Sequence, residues 1–94
     1  MGFWEALDEL VTNHRIVIDR PEGSPHPRFP ESIYPIDYGY LDGTSGGDGS
    51  GIDVWRGSMD HKAVVGVIIT IDLLKSDTEI KILVGCTDDE TEIV

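Results

Sequence analysis

The stretch AVVGVIITI, residues 63–71, is the most apolar part of this 94-residue chain and contains no charged side chain. A short, uninterrupted apolar run is typical of a strand that is buried on both faces. The run is long enough for a strand but too short to span a bilayer. We therefore predict that residues 63–71 form a buried strand of a small β-rich fold.

One helix and four further strands are predicted around this stretch. Apolar residues recur at helical spacing in residues 3–12 and acidic residues lie on the other face, which predicts an amphipathic helix. The other predicted strands are residues 15–19, 33–41, 52–55 and 80–84. Residues 20–32 are rich in proline and residues 42–51 in glycine, so both are predicted loops, and residues 87–94 form an acidic tail. A mainly β fold with one domain over residues 1–94, either a small barrel or a curled sheet, fits this pattern.

The charge balance restricts the partners that we expect. The chain has 18 acidic and 7 basic residues, for a net charge of −11. Such a charge repels nucleic acid and anionic membranes, so we expect neither as a partner, and it favours the binding of cations. The single cysteine, Cys86, cannot form an internal disulfide, and the first five residues lack the features of a signal peptide. We therefore expect a cytoplasmic protein.

Two pairs of aspartates are candidate cation ligands. Asp48 and Asp53 lie five residues apart with glycines between them, so the loop can curl and direct both carboxylates at one ion. Asp72 and Asp77 flank a short polar turn. A calcium loop of the EF-hand type is excluded because its closing glutamate and flanking helices are missing. On spacing alone, an ordinary glycine-rich turn explains the first pair better than a metal site does, and a solvated turn is the alternative for the second pair.

The segment YPIDYGYL, residues 34–41, has an unusual composition for a strand. A proline inside a strand indicates an edge or a bulge. Gly39 between two tyrosines indicates that another part of the backbone comes close at this point. Tyrosine hydroxyls can donate to a phosphate, and tyrosines that simply pack against the sheet are an equally good explanation.

Together these pieces resemble the central block of the family I soluble inorganic pyrophosphatases. That family shows Tyr-Pro-x-x-Tyr-Gly-Tyr, then Asp-Gly-Asp-Pro-aliphatic-Asp-Val, then an apolar strand with a glycine. An aspartate follows that glycine by six residues, and a second aspartate lies five residues further on. Here the tyrosine segment is residues 34–40, Asp53 closes the second motif, and Gly66 precedes Asp72 by six residues. The similarity covers residues 33–84.

The resemblance implies a fold, an activity and a set of site residues. It implies a five-stranded OB-like barrel, here with an N-terminal helix, that hydrolyses pyrophosphate to two orthophosphates with Mg²⁺, or with Mn²⁺ as a substitute. The implied metal ligands are Asp48, Asp53, Asp72 and Asp77. The implied catalytic residues are Asp53 and Tyr38, and the implied phosphate ligands are Arg28, Tyr38 and Lys81. It also implies a homo-oligomer.

Several positions depart from the family pattern. Ser50 replaces the middle aspartate of the second motif, and a serine hydroxyl cannot accept a proton from water as that carboxylate does. Lys81 lies four residues after Asp77, where the family shows two. The Tyr-Lys pair and closing helix that the family places further on are missing. These departures favour an alternative function, a catalytically weak or inactive relative that binds metal and phosphate in a regulatory or other-substrate role. A purely structural barrel with protein partners is a third interpretation.

Overall fold

Five strands and two helices form the part of the chain that the computed structural model describes, residues 1–47 and 49–94. The elements in chain order are α1 (Phe3–Asn13), β1 (Ile16–Arg20), β2 (Asp37–Leu41), β3 (Asp53–Arg56), β4 (Val64–Asp72), β5 (Asp77–Val84) and α2 (Asp88–Ile93). The prediction of a mainly β fold with an N-terminal helix is confirmed, and the strand ends differ from the predicted ones by up to four residues.

The strands form one mixed sheet in the order β1-β2-β3-β5-β4. All neighbours are antiparallel except β3 and β5, whose parallel pairing places Asp53 opposite Lys81. Closing a barrel would require the five-residue β1 to pair with the nine-residue β4. Within the described residues these strands occupy opposite edges and do not pair, so the sheet is open and the predicted barrel closure is not confirmed.

The two faces of the sheet carry different apolar clusters. Helix α1 covers one face, where the fully buried residues are Val11, Leu41, Val54, Ile82 and Val84. On the other face Ile36, Leu83 and Cys86 form a smaller cluster with Trp55 and Ile68 packed against it. The two-residue period of β5 explains this division, because successive side chains of a strand point to opposite faces.

Gly39 permits the close pairing of β1 and β2. A Cβ atom at this position would lie 1.8 Å from the carbonyl oxygen of Val17, so any other residue would force the two strands apart. The close backbone approach predicted at Gly39 is therefore confirmed.

The hairpin of β4 and β5 extends beyond the rest of the sheet. We call residues 69–80 the distal arm. β3 begins opposite Lys81, so within residues 1–47 and 49–94 no third strand flanks β5 in the arm, and the apolar side chains of Ile69 and Ile71 are exposed. The prediction of a strand at residues 63–71 is confirmed, but the prediction that this strand is buried is wrong: residues 69–71 are exposed, and the first half is at most partly buried.

The predicted acidic tail contains a short helix, α2. The hydroxyl of Thr87 accepts a hydrogen bond from the backbone N–H of Glu90, and the Glu90 carboxylate accepts one from the backbone N–H of Thr87. Glu90 also accepts from the N–H of Ser58, and these backbone donors lower the pKa of its carboxyl group. The Thr-x-x-Glu pattern of a capping box was present in the sequence. None of the helices described here is long and apolar enough to cross a membrane.

Candidate active-site cleft

A cleft of about 810 Å³ lies on the face of the sheet opposite α1. Its walls come from β1, β2, β3, β5 and the proline-rich loop between β1 and β2. The polar side chains that matter most for its chemistry are Arg20, Tyr34, Tyr38, Asp53, Glu79 and Lys81. The cleft therefore collects positive, negative and neutral hydrogen-bonding groups on one surface of a protein that is strongly acidic as a whole.

Lys81 is the centre of the polar cluster. Its Nζ donates to the hydroxyl of Tyr38 at 2.9 Å, and it lies 3.2 Å from a carboxylate oxygen of Glu79 and 3.5 Å from one of Asp53. The parallel pairing of β3 and β5 brings Asp53 alongside Lys81, and the two-residue period of β5 puts Glu79 on the same face. One ammonium group thus joins two carboxylates that would otherwise repel each other.

The environment fixes the protonation states of the pair formed by Lys81 and Tyr38. Burial disfavours the charge on Lys81, but the hydrogen bond to Tyr38 and the nearby carboxylates outweigh it and raise the pKa of Lys81 well above its usual value. Burial also raises the pKa of the Tyr38 hydroxyl, against the opposing effect of Lys81. At neutral pH the cleft therefore holds a charged ammonium and a neutral phenol that keeps its proton.

A second cation lies at the β1 side of the cleft. The guanidinium of Arg20 donates to the hydroxyl of Tyr34, and its central carbon lies 5.6 Å from the centre of the Tyr34 ring. The imidazole of His26 stacks on the same Tyr34 ring, with centroids 6.0 Å apart and planes 7° apart. Arg20 pairs with Tyr38 across β1 and β2, so the two tyrosines lie between Arg20 and Lys81.

Three aromatic rings form the floor of the cleft. The ring centroids of Tyr34 and Tyr38 are 5.4 Å apart, those of Tyr38 and Trp55 are 4.6 Å apart, and those of Tyr34 and Trp55 are 5.8 Å apart. Contacts of this geometry stabilise aromatic clusters beyond simple burial. The floor holds both phenol hydroxyls in place, which fixes the positions of the two cations that hydrogen-bond to them.

The structure brings together three of the residues that the resemblance implied for the site. Tyr38, Asp53 and Lys81 lie in one hydrogen-bonded cluster. Ser50 lines the same cleft. Asp48 lies outside the described residues.

The implied phosphate ligand Arg28 lies elsewhere. It is an exposed residue of the proline-rich loop, where its backbone N–H donates to Nδ1 of His26, and it is not part of the cleft lining. The cleft lining includes Arg20 in place of Arg28. No motif pointed to Arg20, and only its place at the end of β1, opposite Tyr38, brings it to the site.

Asp72 and Asp77 lie at the tip of the distal arm, where they form a cross-strand pair. The carboxylate of Asp72 accepts the backbone N–H groups of Leu74 and Lys75 and so closes the turn. Asp77 precedes Lys81 by four residues, which is about 13 Å along a strand. The structure does not bring these two aspartates to the cleft, and the described residues contain no group of three acidic, histidine or cysteine side chains suited to a metal ion.

Glu79 is the carboxylate that the sequence analysis missed. It lies two residues before Lys81, which is the spacing that the resemblance requires between the last acid and the lysine. Counting back from Lys81 would have found it, whereas counting forward from Asp72 led to Asp77. Lys81 follows Asp72 by nine residues, two more than in the family pattern.

Comparison with protein-family models, with curated proteins and with solved structures finds no match to this chain. The likeness to the pyrophosphatases therefore rests on the motifs in the sequence.

Proposed function

We propose that the protein binds inorganic pyrophosphate as its magnesium complex in this cleft and hydrolyses it to two orthophosphates. The observation that supports the proposal most directly is the cluster around Lys81, whose Nζ lies within 3.5 Å of a phenol hydroxyl and of two carboxylates. These are the groups that bind a phosphate oxygen, coordinate a hard cation and accept a proton.

The two cations of the cleft suit the substrate's charge. Pyrophosphate is a compact anion, and a chain with a net charge of −11 repels it unless positive groups compensate locally. Lys81 and Arg20 supply that compensation from opposite sides of the tyrosine pair. Both are already held by phenol hydroxyls, so little ordering is required when a phosphoryl group replaces part of their present contacts.

The oxygen donors of the cleft fit a magnesium ion that arrives with the substrate. Mg²⁺ is commonly held by one or two carboxylates together with phosphate oxygens and water. Asp53 and Glu79 are two such carboxylates, and both now contact the ammonium of Lys81, which occupies the place of a cation between them. When bound, Mg²⁺ neutralises phosphate charge and lowers the pKa of a coordinated water, and Mn²⁺ is the expected substitute.

The remaining roles, binding of the phosphoryl oxygens and acceptance of the proton, belong to side chains of the cleft. Lys81 and Arg20 hold the phosphoryl oxygens, and the neutral hydroxyl of Tyr38 donates its proton in a hydrogen bond to one of them. Asp53 accepts the proton of the attacking water. Ser50, which lines the cleft, cannot share that task, so we expect a slow enzyme.

Phosphate release from magnesium pyrophosphate tests the proposal. We expect release that stops when the metal is chelated and that rises in Ser50→Asp, since the variant adds a carboxylate to the cleft. Ser45→Asp is the matched control, because Ser45 is an exposed residue of the same loop and does not line the cleft. Absence of release from both the wild type and Ser50→Asp, with the fold intact, would rule out hydrolysis.

Binding without hydrolysis is the second candidate function. It is favoured by the position of Asp72 and Asp77 in the arm, since the cleft then has fewer carboxylates than the resemblance implies. Titration calorimetry with methylenediphosphonate and Mg²⁺, in which the bridging carbon prevents cleavage, separates the two. Saturable binding of this analogue together with no phosphate release from pyrophosphate would identify a binding module.

The cytoplasmic location remains part of the same proposal. Cys86 is a free, buried thiol, and free thiols are typical of proteins in reducing compartments. A magnesium-dependent pyrophosphate site is compatible with that location.

A further inference from the structure

We infer that two copies of this chain associate through β4, by antiparallel pairing of the two β4 edges about a twofold axis. The strands of both copies then form one continuous sheet. The inference rests on the arm and the sheet edge, and it does not depend on the function proposed for the cleft.

The two edges of the sheet differ in how they are protected. β1 has five residues, carries Asp19 and Arg20, and has an irregular register between Ile18 and Arg20. β4 has nine residues, its only irregularity lies at its start, and residues 64–71 are uncharged. Monomeric proteins normally protect an edge with short strands, charges, proline or bulges. β1 has these features, whereas β4 lacks them over most of its length.

An exposed apolar row adjoins the open edge. Ile69 pairs with Ile80 across the hairpin, and Ile71 lies two residues further along β4, so all three side chains share one face. This is the face that α1 covers nearer the centre of the sheet, and the row lies where α1 no longer covers it. Three exposed isoleucines beside an unpaired strand are typical of a surface that another protein covers.

The amount of exposed surface fits a second copy. The chain exposes 6201 Å². A compact monomer of this mass is expected to expose about 5,400 Å². The excess of about 800 Å² equals the area that each partner contributes to a dimer interface of ordinary size.

The uncharged middle of β4 also allows a second copy to bind despite the charge of the chain. Each copy carries a net charge of −11, so two copies repel each other unless they meet through a surface without charge. Residues 64–71 of β4 provide that surface. A basic protein partner would instead bind to acidic residues, and the middle of β4 has none.

Antiparallel pairing about a twofold axis is also self-complementary. In such a pair, if residue i of one copy lies opposite residue j of the other, then residue j of the first copy lies opposite residue i of the second. The apolar rows of the two copies therefore adjoin each other, and the backbone N–H and C=O groups at the edge of each β4 bond to those of the other copy. The cleft lies on the opposite face of the sheet and remains open.

Light scattering after size exclusion, from micromolar to submillimolar protein, tests the inference. We expect the wild type to have twice the 10.3 kDa mass of the chain, and Ile69→Lys to have half the wild-type mass, because the twofold axis would place two new lysines close together. Ile93→Lys is the matched control: Ile69 is 62% exposed and Ile93, in α2, is 58% exposed, so both substitutions cost the monomer little. Ile93→Lys should retain the wild-type mass.

Hydrogen exchange identifies the surface itself. Amides of residues 67–72 should exchange more slowly in the wild type than in Ile69→Lys, while those of β1 should not differ. Ile71→Lys repeats the test if Ile69→Lys loses the circular dichroism of the folded chain. A wild type that is monomeric throughout the concentration range overturns the inference. So does a dimer, or a larger assembly, that both arm variants leave unchanged.

Discussion

Lys81 and Asp77 lie on the same strand and the same face, four residues apart, but they have different surroundings. Lys81 lies beside β3, contacts Asp53 and Tyr38, and is the centre of the cleft. Asp77 lies where, in the described part of the chain, β5 pairs with β4 alone, and its neighbour across the hairpin is another exposed acid, Asp72. The difference shows that the start of β3 decides which side chains of β5 can belong to a site.

The largest expected difference between these two regions is in turnover. Asp53→Asn keeps the shape of the side chain but removes its charge, and if the cleft hydrolyses pyrophosphate we expect the rate to fall by about 10²–10⁴-fold, the range for loss of a general base. Asp77→Asn, at the tip of the arm, should change the rate by less than about twofold. Phosphate release under saturating magnesium pyrophosphate measures both.

The outcome that would break the comparison is a loss of activity in Asp77→Asn as large as that in Asp53→Asn. The arm would then have to fold toward the cleft when substrate binds, and the open hairpin would represent only the free state. Asp60→Asn, an exposed position in the turn between β3 and β4, controls for the loss of a negative charge in general.

The second expected difference is in stability. Leu83, on the part of β5 flanked by β3, is 3% exposed, whereas Leu74, in the turn of the arm, is 99% exposed. Leu83→Ala should lower the free energy of unfolding by about 2–5 kcal/mol, the usual cost of a large-to-small core substitution. Leu74→Ala should change it by less than about 0.5 kcal/mol. Urea unfolding followed by tryptophan fluorescence gives both values.

Similar losses in Leu83→Ala and Leu74→Ala would mean that the turn of the arm is covered in solution. In that case the Leu74→Ala loss should diminish on dilution or in an Ile69→Lys background, because the covering surface would belong to another copy. A loss that persists in that background would contradict the division of β5 into a packed part and an exposed part.

The sequence was sufficient to predict where the strands lie, but it was insufficient to predict what packs beside each strand. The alternation and β-branched or aromatic content of each segment identified all five strands, and the Tyr-Gly-Tyr motif led to Tyr38 and to the close approach at Gly39. The burial of residues 69–71 was wrong because an apolar run looks the same whether or not a third strand lies beside it. That information resides in the length of β3, a separate segment of the chain.

The candidate site shows the same limit. Lys81 and Asp53 meet because β3 and β5 are parallel neighbours although β4 separates them in the sequence. No local pattern predicts that pairing, so only the resemblance placed both residues in one site. Glu79 was missed because the family spacing was counted through a hairpin whose length differs here, and Arg20 because it belongs to no motif.

A smaller difference is expected in ligand affinity. Lys81→Gln removes the ammonium that the phosphate would contact, and a hydrogen bond to a charged group is worth about 1.5–3 kcal/mol. The affinity for methylenediphosphonate with Mg²⁺ should therefore fall by about 10–100-fold. Lys75→Gln, in the turn of the arm, should leave the affinity unchanged, and calorimetry distinguishes the two. Equal losses would indicate that the ligand responds to net charge and is not bound by the Lys81 cluster.

The smallest expected difference is in the dependence of stability on alkaline pH. The pKa of Lys81 is higher in the folded chain than its usual value, so the stabilisation from its contacts is complete below about pH 10.4 and is lost as the pH rises above that value. Burial raises the pKa of Tyr38 as well, so the unfolded phenol loses its proton first and the folded state is again disfavoured as the pH increases. Both groups therefore destabilise the fold in the same alkaline range.

Melting temperatures of four proteins, measured from about pH 9 to about pH 11, should show this effect, since that range covers the usual pKa values of lysine and tyrosine. The wild type and Lys75→Gln should lose stability along the same steep curve, because Lys75 lies in the exposed turn of the arm. The curve of Lys81→Gln should be shallower, because only Tyr38 still titrates with a raised pKa, and Lys81→Gln combined with Tyr38→Phe should be shallower again. Parallel curves for all of them would mean that the ammonium of Lys81 is as well solvated as that of Lys75. The cluster that distinguishes one end of β5 from the other would then provide no electrostatic stabilisation in solution.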